Sequence, residues 1–389
     1  MRPTPGSVAA LPSPSADAQA ASRALCARIA AEIEAGGGWM SFARYMELAL
    51  YEPGLGYYAG GSHKFGTDGD FVTAPELTPL FGQALARQAA QVMAASAPQL
   101  LEAGAGSGRL AADLLCSLDA LGMAPERYLI LELSGELRAR QRDMIEREAP
   151  ALAHRVAWLD AMPDSFSGCI VANELLDAMP VHVLAWRAEG LMERGVGLDA
   201  DGQFVWAERP AAGHLRRAAA ELPVAAPYIG EVALAARAWT AEWGRRLAQG
   251  ALILIDYGLP RHEYYHPQRN GGTLRCHYRH RSHDNPFWWP GLSDITTHVE
   301  FTSIAEAAHG AGLDVLGYTA QASFLMNCGI GELLAARQAD GGDAAKALGA
   351  VQVLLAPGEM GELFKVIALG RGIDAPLLGF ARGDRIHAL

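Results

Sequence analysis

The stretch Leu100-Leu101-Glu102-Ala103-Gly104-Ala105-Gly106-Ser107-Gly108-Arg109-Leu110 decides the fold class. A short apolar run enters it, and Leu110, Leu114, Leu115 and Leu118 leave it at helical spacing. Alternating glycines between a strand and a helix let the backbone turn sharply and approach a ligand with no Cβ in the way. The dinucleotide fingerprint GxGxxG would place its third glycine at position 109, where Arg109 stands instead. Glu102, two places before the first glycine, would repel a phosphate. It suits a ligand that carries an ammonium and a sulfonium and no phosphate. The stretch therefore points to S-adenosylmethionine rather than to a nicotinamide dinucleotide; a plain tight turn is the bland alternative.

Outward from the loop, a second acid, Glu132, follows the apolar run Tyr128-Leu129-Ile130-Leu131. A carboxylate there accepts hydrogen bonds from ribose hydroxyls. It stands 28 positions after Gly104, against roughly 20 in the dinucleotide pattern, with residues 119–127 reading as an added loop. The expected cofactor residues are Glu102, Gly104, Ala105, Gly106, Gly108, Glu132, Leu133 and Asn173. Further strand candidates are 156–158, 169–172, 251–256, 313–318 and 363–369, alternating with helical patterns such as 79–95. Strands alternating with helices predict βαβ units. The expected fold is α/β, a class I (Rossmann-like) methyltransferase with a seven-stranded, mostly parallel sheet.

The expected domain plan is a disordered tail at 1–17, a helical and loop segment at 18–74, a methyltransferase domain at 75–370 and a C-terminal tail at 371–389. A β-hairpin insertion is expected at about 181–208 and a loop insertion at about 260–300. The formal net charge of −11 argues against a nucleic-acid partner and is compatible with a basic substrate. Five scattered cysteines with no CxxC pair read as free thiols in a reducing compartment. No apolar run approaches the ~20 residues a membrane span needs. The expectation is a cytoplasmic protein without a membrane partner, mitochondrial only if its N-terminus is a transit peptide.

Candidate chemistry lies at strand ends. Asn173-Glu174 follows an apolar strand on the edge where a doubly wound sheet holds its ligand. Glu174 and Asp177 are the acids placed to orient a methyl acceptor, although either can equally stabilise the start of a helix. Asp70, in Gly69-Asp70-Phe71-Val72-Thr73, suits a loop over the cofactor or a turn cap. Asp256 and Tyr257 end another apolar strand and, with Tyr58 and Thr73, are candidate substrate residues. Asp294 and His298 stand four positions apart and would share a face on a helix, with His298 taking a proton or simply bonding Asp294. The histidines at 262, 266, 277, 280 and 283 with Cys276 match no zinc-finger spacing, so no metal is expected. Tyr57-Tyr58 and Phe287-Trp288-Trp289 are core aromatics or walls around a cation.

Several segments together resemble the MidA-type methyltransferases, the family of the mitochondrial complex I assembly factor that methylates an arginine. They are Gly56-Tyr57-Tyr58, the run from Gly69 to Glu76, Phe81-Gly82, the loop from Glu102 to Gly108, the run from Asn173 to Val181, Ile255 to Gly258, Gly272 to Arg275, Pro290 to Val299, and Phe364-Lys365-Val366. Thr297 stands where alanine is expected and Glu300 where aspartate is usual. The resemblance implies a methyltransferase acting on a protein side chain, with arginine favoured. A small-molecule methyltransferase and a non-catalytic assembly factor that keeps the fold are the alternatives. The oligomeric state stays open, with a homodimer compatible.

Overall fold

The computed structural model describes residues 11–60, 73–339 and 344–389. The chain divides into two compact units. One comprises the chain from Thr73 to Leu175 with Trp239–Gly258 and Phe301–Leu389; the other comprises the N-terminal segment with Leu176–Ala238 and Leu259–Glu300.

The first of these holds the mixed sheet. Its strands are β1 (Gln99–Ala103), β2 (Arg127–Leu131), β3 (Val156–Leu159), β4 (Phe166–Asn173), β5 (Leu247–Leu259), β6 (Asp314–Ala320) and β7 (Phe364–Arg371). They lie in the order β6-β7-β5-β4-β1-β2-β3. The pairs β1–β2, β1–β4, β2–β3 and β4–β5 are parallel, and β7 runs antiparallel to both β5 and β6. This is the class I methyltransferase arrangement. Strand order reverses between β1 and β4, so the ends of these two strands flank the switch point where such sheets bind ligands.

The central strands form because both their faces are covered. Leu100, Leu101, Ile170, Val171, Leu252 and Ile253 have no exposed surface, the signature of a strand buried on both sides. Helices Pro79–Ala95 and Arg109–Ala120 cover one face and meet at Gly82, where an added Cβ would lie 2.6 Å from that of Asp113. Leu114, Leu115 and Leu118, fully buried in this core, each contribute about 2 kcal/mol of burial. The end of the chain is ordered rather than a tail. The Tyr318 N–H donates to Asp384 Oδ1 at 3.1 Å, and Phe380 packs so closely on Gly317 that a Cβ there would lie 2.2 Å from its ring.

The other unit is built on a second sheet, Met40–Ser41, Gly190–Leu198, His182–Arg187 and Tyr228–Val232 in that order, with Phe204–Pro210 paired to Gly190–Leu198. Where a simple hairpin was expected at 181–208, the glycine-rich middle is itself a strand. Gly195 hid it: a Cβ there would fall 2.1 Å from the Met40 carbonyl oxygen and into the Trp39 ring, so close pairing demands glycine. The stretch expected as a loop at 260–300 carries a three-stranded sheet of Arg275–Tyr278, Arg281–His283 and Asp294–Thr296. Helices Ala16–Ala35 and Phe42–Tyr51 belong to this unit. The first begins before the expected end of a disordered tail at residue 17, capped by the Ser15 side chain. Among the described residues no helix is long and apolar enough to cross a membrane.

Candidate active site

The glycine loop leaves β1 with Gly104, Gly106 and Gly108 at φ of 71°, 52° and 84°. These values are left-handed, which a side chain strains. A Cβ on Gly104 would meet Leu175 at 2.8 Å, and one on Gly108 would meet the Gln141 Cα at 2.8 Å. The loop is anchored by the Gly104 N–H donating to the Leu131 carbonyl at 3.1 Å. Arg109, at the position of the missing third glycine, opens the following helix and pairs with Asp113 at 2.7 Å. Ser107 donates to Glu76, which ties the loop to the helix Ala74–Leu77.

Two acids frame this cradle. Glu102 is 2% exposed and accepts the Tyr128 hydroxyl at 2.5 Å. Burial pushes its carboxyl up to about 7, with Asp113 and Glu132 adding to the rise and Tyr128 opposing it. Glu132 directly follows β2. Its Oε1 accepts the Ser134 N–H at 2.9 Å, and its Oε2 accepts from the Gln141 amide at 3.2 Å. Burial raises its pKa too, against those hydrogen bonds. Leu133 beside it is 79% exposed, an apolar surface available to a flat ring. At the end of β4, Asn173 donates to Glu174 Oε1 at 3.1 Å, while its own Oδ1 is buried with no partner among the described residues. A loop with glycine at three alternate positions, two acids whose proton affinity is raised by burial, an exposed apolar side chain and an orphaned amide oxygen fit S-adenosylmethionine.

Glu174 has φ of 51°, an uncommon value for a residue with a side chain, and its N–H donates to the Ile255 carbonyl at 2.9 Å. Strained backbone of this kind clusters at functional positions. Asp256, 1% exposed on β5, accepts the Tyr257 N–H at 2.9 Å and stands in register with Lys365 on β7. Tyr257 packs edge-on against Phe364 at 5.5 Å. Thr73 precedes the short helix Ala74–Leu77 and makes no side-chain capping bond. Asp70 lies outside the described residues.

The chain leaves this unit between Leu175 and Leu176, directly after β4, and the remaining candidates belong to the other unit. There Asp177 is buried and its carbonyl accepts the Thr297 N–H at 3.0 Å. Tyr58 donates to Asp294 Oδ1 at 2.9 Å and stacks on Tyr51 at 5.5 Å. Burial, then Asp294, holds its hydroxyl far above the ordinary tyrosine value. Asp294–Thr296 is a strand, so the helical spacing expected to bring Asp294 and His298 onto one face does not apply. His298 is held by its backbone, its N–H donating to Thr273 Oγ1 at 3.1 Å. Thr273 in turn binds Glu231, a 2% exposed carboxylate that accepts from the Thr273 and Leu274 N–H groups and the Tyr264 hydroxyl at 2.9–3.0 Å. Gly272 faces that carboxylate, leaving 2.2 Å to an added Cβ. The run Gly272–Arg275 thus encloses a buried acid. Burial lowers His277 to about 4, and His283 meets Ser293 at 3.2 Å. Among the described residues no cluster of His, Cys, Asp and Glu is grouped to hold a metal.

Reading the sequence missed Tyr128, Gln141, Trp158 and Glu231. Each is a polar group held by partners elsewhere in the chain, and only the acid–glycine spacing carries a local signal. Comparison with known proteins agrees with the cofactor. The profile of a family described as "Putative S-adenosyl-L-methionine-dependent methyltransferase" matches residues 84–319. Protein arginine methyltransferase NDUFAF7, mitochondrial, of Mus musculus is 30% identical over 370 residues, covering 85% of this chain and 81% of that protein. The Drosophila melanogaster homolog is 26% identical, covering 95% and 91%. A crystal structure from Burkholderia thailandensis, bound to S-adenosyl-homocysteine, is 54% identical with a TM-score of 0.94, covering 98% of this chain and all of that one.

Proposed function

The chain belongs to this family of S-adenosyl-L-methionine-dependent methyltransferases, and from that premise we propose that it methylates a protein side chain, with arginine as the favoured acceptor. The observation that carries the choice of acceptor is the 30% identity with the mouse protein arginine methyltransferase across 85% of this chain. Carboxyl groups at the strand ends support it. Glu174 follows β4 in a strained conformation and Asp256 is buried near the end of β5. A cationic guanidinium must be oriented and must lose a proton as its nitrogen becomes bonded to carbon.

Bound S-adenosylmethionine supplies an electrophilic methyl carbon and a neutral thioether leaving group. In this reading Gly104, Ala105, Gly106 and Gly108 form its cradle, Glu102 complements its charge, and Glu132 accepts its ribose hydroxyls beside Leu133. Asn173 directs its amide at the cofactor or acceptor. Glu174 binds and aligns the guanidinium, and its negative charge localises the lone pair on the reacting nitrogen. Thr73, Asp256 and Tyr257 line the acceptor path. The proton that the guanidinium sheds passes to solvent. The reading extends to a cytoplasmic protein whose partner is another protein.

The test is transfer of a tritiated methyl group from S-adenosylmethionine to proteins from cells that lack this chain, followed by hydrolysis to amino acids. Label in methylarginine is expected. Label confined to metabolites, or to another amino acid, overturns the choice of acceptor.

A further inference from the structure

We propose that Gln141 is a positioning residue for the cofactor ribose, locking the glycine loop and the ribose-binding acid Glu132 into one hydrogen-bonded assembly whose orientation is set by the Trp158 indole. The inference rests on the reading of Glu132 given above and goes beyond it.

Gln141 lies on the helix Gly135–Glu148 and has no exposed surface. Its Nε2 donates to the Gly106 carbonyl at 3.1 Å and to Glu132 Oε2 at 3.2 Å. Its Oε1 accepts the Trp158 indole N–H at 2.9 Å. Each partner permits only one polarity. A carbonyl and a carboxylate accept, and an indole N–H only donates. Turning the amide over would set Nε2 against the indole N–H and Oε1 against two oxygens. Trp158 therefore dictates that the amide hydrogens face the glycine loop and Glu132.

The consequence falls on Glu132. Its Oε1 is held by the Ser134 N–H and its Oε2 by Gln141, so neither oxygen can swing. Each keeps a further lone pair for a ribose hydroxyl. The helix also packs tightly on the loop, since an added Cβ at Gly108 would lie 2.8 Å from the Gln141 Cα. A side chain here other than glutamine cannot satisfy all three partners. Alanine supplies no hydrogen bond, and glutamate faces Glu132 with a second carboxylate.

The experiment measures affinity by calorimetry for S-adenosylhomocysteine and for its analogues lacking the 2′- or 3′-hydroxyl, on the full chain. The variants are Gln141→Ala and Trp158→Phe, with circular dichroism to confirm folding. Gln141→Ala is expected to weaken S-adenosylhomocysteine about tenfold or more, as loss of a hydrogen bond to a charged group does. It is expected to weaken the deoxy analogue far less, because the hydroxyl whose acceptor it positions is gone. Trp158→Phe removes only the indole donor, at a half-buried site, and should show a smaller loss with the same dependence on the hydroxyl. It carries the test if Gln141→Ala does not fold. Equal losses for S-adenosylhomocysteine and both analogues, in whichever variant folds, overturn the proposal, because they mark a purely structural residue. If the unaltered protein binds the deoxy analogues as tightly as the parent, the Glu132–ribose reading itself fails, and the proposal with it.

Discussion

Glu102→Gln isolates the electrostatic state of the cradle. In the folded chain Glu102 titrates near 7, against 4.5 for an ordinary glutamate. Between those two pH values the folded chain keeps a proton that the unfolded chain has released. Stability therefore falls as pH rises through that window and levels off above it. At about 1.4 kcal/mol for each pH unit, full ionisation costs the fold about 3 kcal/mol. Glutamine has the shape of the protonated acid, and its carbonyl oxygen can still accept the Tyr128 hydroxyl that Glu102 accepts at 2.5 Å. Urea unfolding of the two proteins without cofactor, from pH 5 to pH 8, should show nearly equal stability at the acid end. The variant should gain an advantage approaching 3 kcal/mol at the alkaline end. Above pH 7, where the wild-type carboxyl is ionised, the same variant should bind S-adenosylhomocysteine more weakly, because a neutral amide no longer answers the ligand's ammonium. A stability difference that does not change with pH, or a wild type that gains on the variant as pH rises, refutes the assignment of a strained, buried acid.

Gly108→Ala, with φ of 84° and a backbone atom at 2.8 Å from the new Cβ, should lose cofactor affinity about tenfold or more and cost upwards of ~1–2 kcal/mol of stability. Gly122→Ala, with φ of 68° but nothing within 4 Å, should show a stability loss of only about 1 kcal/mol and unaltered binding by calorimetry. Glu174→Gln should lower kcat at least ~100-fold in the labelled-methyl assay while S-adenosylhomocysteine affinity holds, since a residue that acts on the acceptor leaves cofactor binding alone. Glu231→Ala strands the Thr273 and Leu274 N–H groups and the Tyr264 hydroxyl and should cost about 3 kcal/mol or more in urea unfolding.

The parts of the molecule that were legible in sequence have local causes. Each strand of the mixed sheet announced itself as an apolar run bounded by turn residues. The spacing of Glu102, Gly104, Gly106 and Gly108 carries its own physical logic, because acid and glycines must lie within one turn of a strand end. Glu132 was placed by the strand it follows. What stayed hidden depends on distant pairing. Met40 pairs with Val196, and no periodicity near either residue marks that contact. Gly195 weakened the strand signal of Gly190–Leu198 because close approach to Met40 excludes a side chain. Asp294 and His298 suggested a helix by spacing alone, whereas pairing of Ile295 with Cys276 makes a strand. Gln141, in the charged helix Gly135–Glu148, looks like one more solvated polar residue until Gly106, Glu132 and Trp158 close around it.

The most direct measurement is a crystal structure of this chain with S-adenosylhomocysteine. Ribose hydroxyls on the Glu132 oxygens, the methionine portion over Gly104–Gly108 and the sulfur directed toward Asn173–Glu174 are the predicted result. A ligand whose ribose avoids Glu132, or whose sulfur points away from the end of β4, contradicts the assignment of these residues.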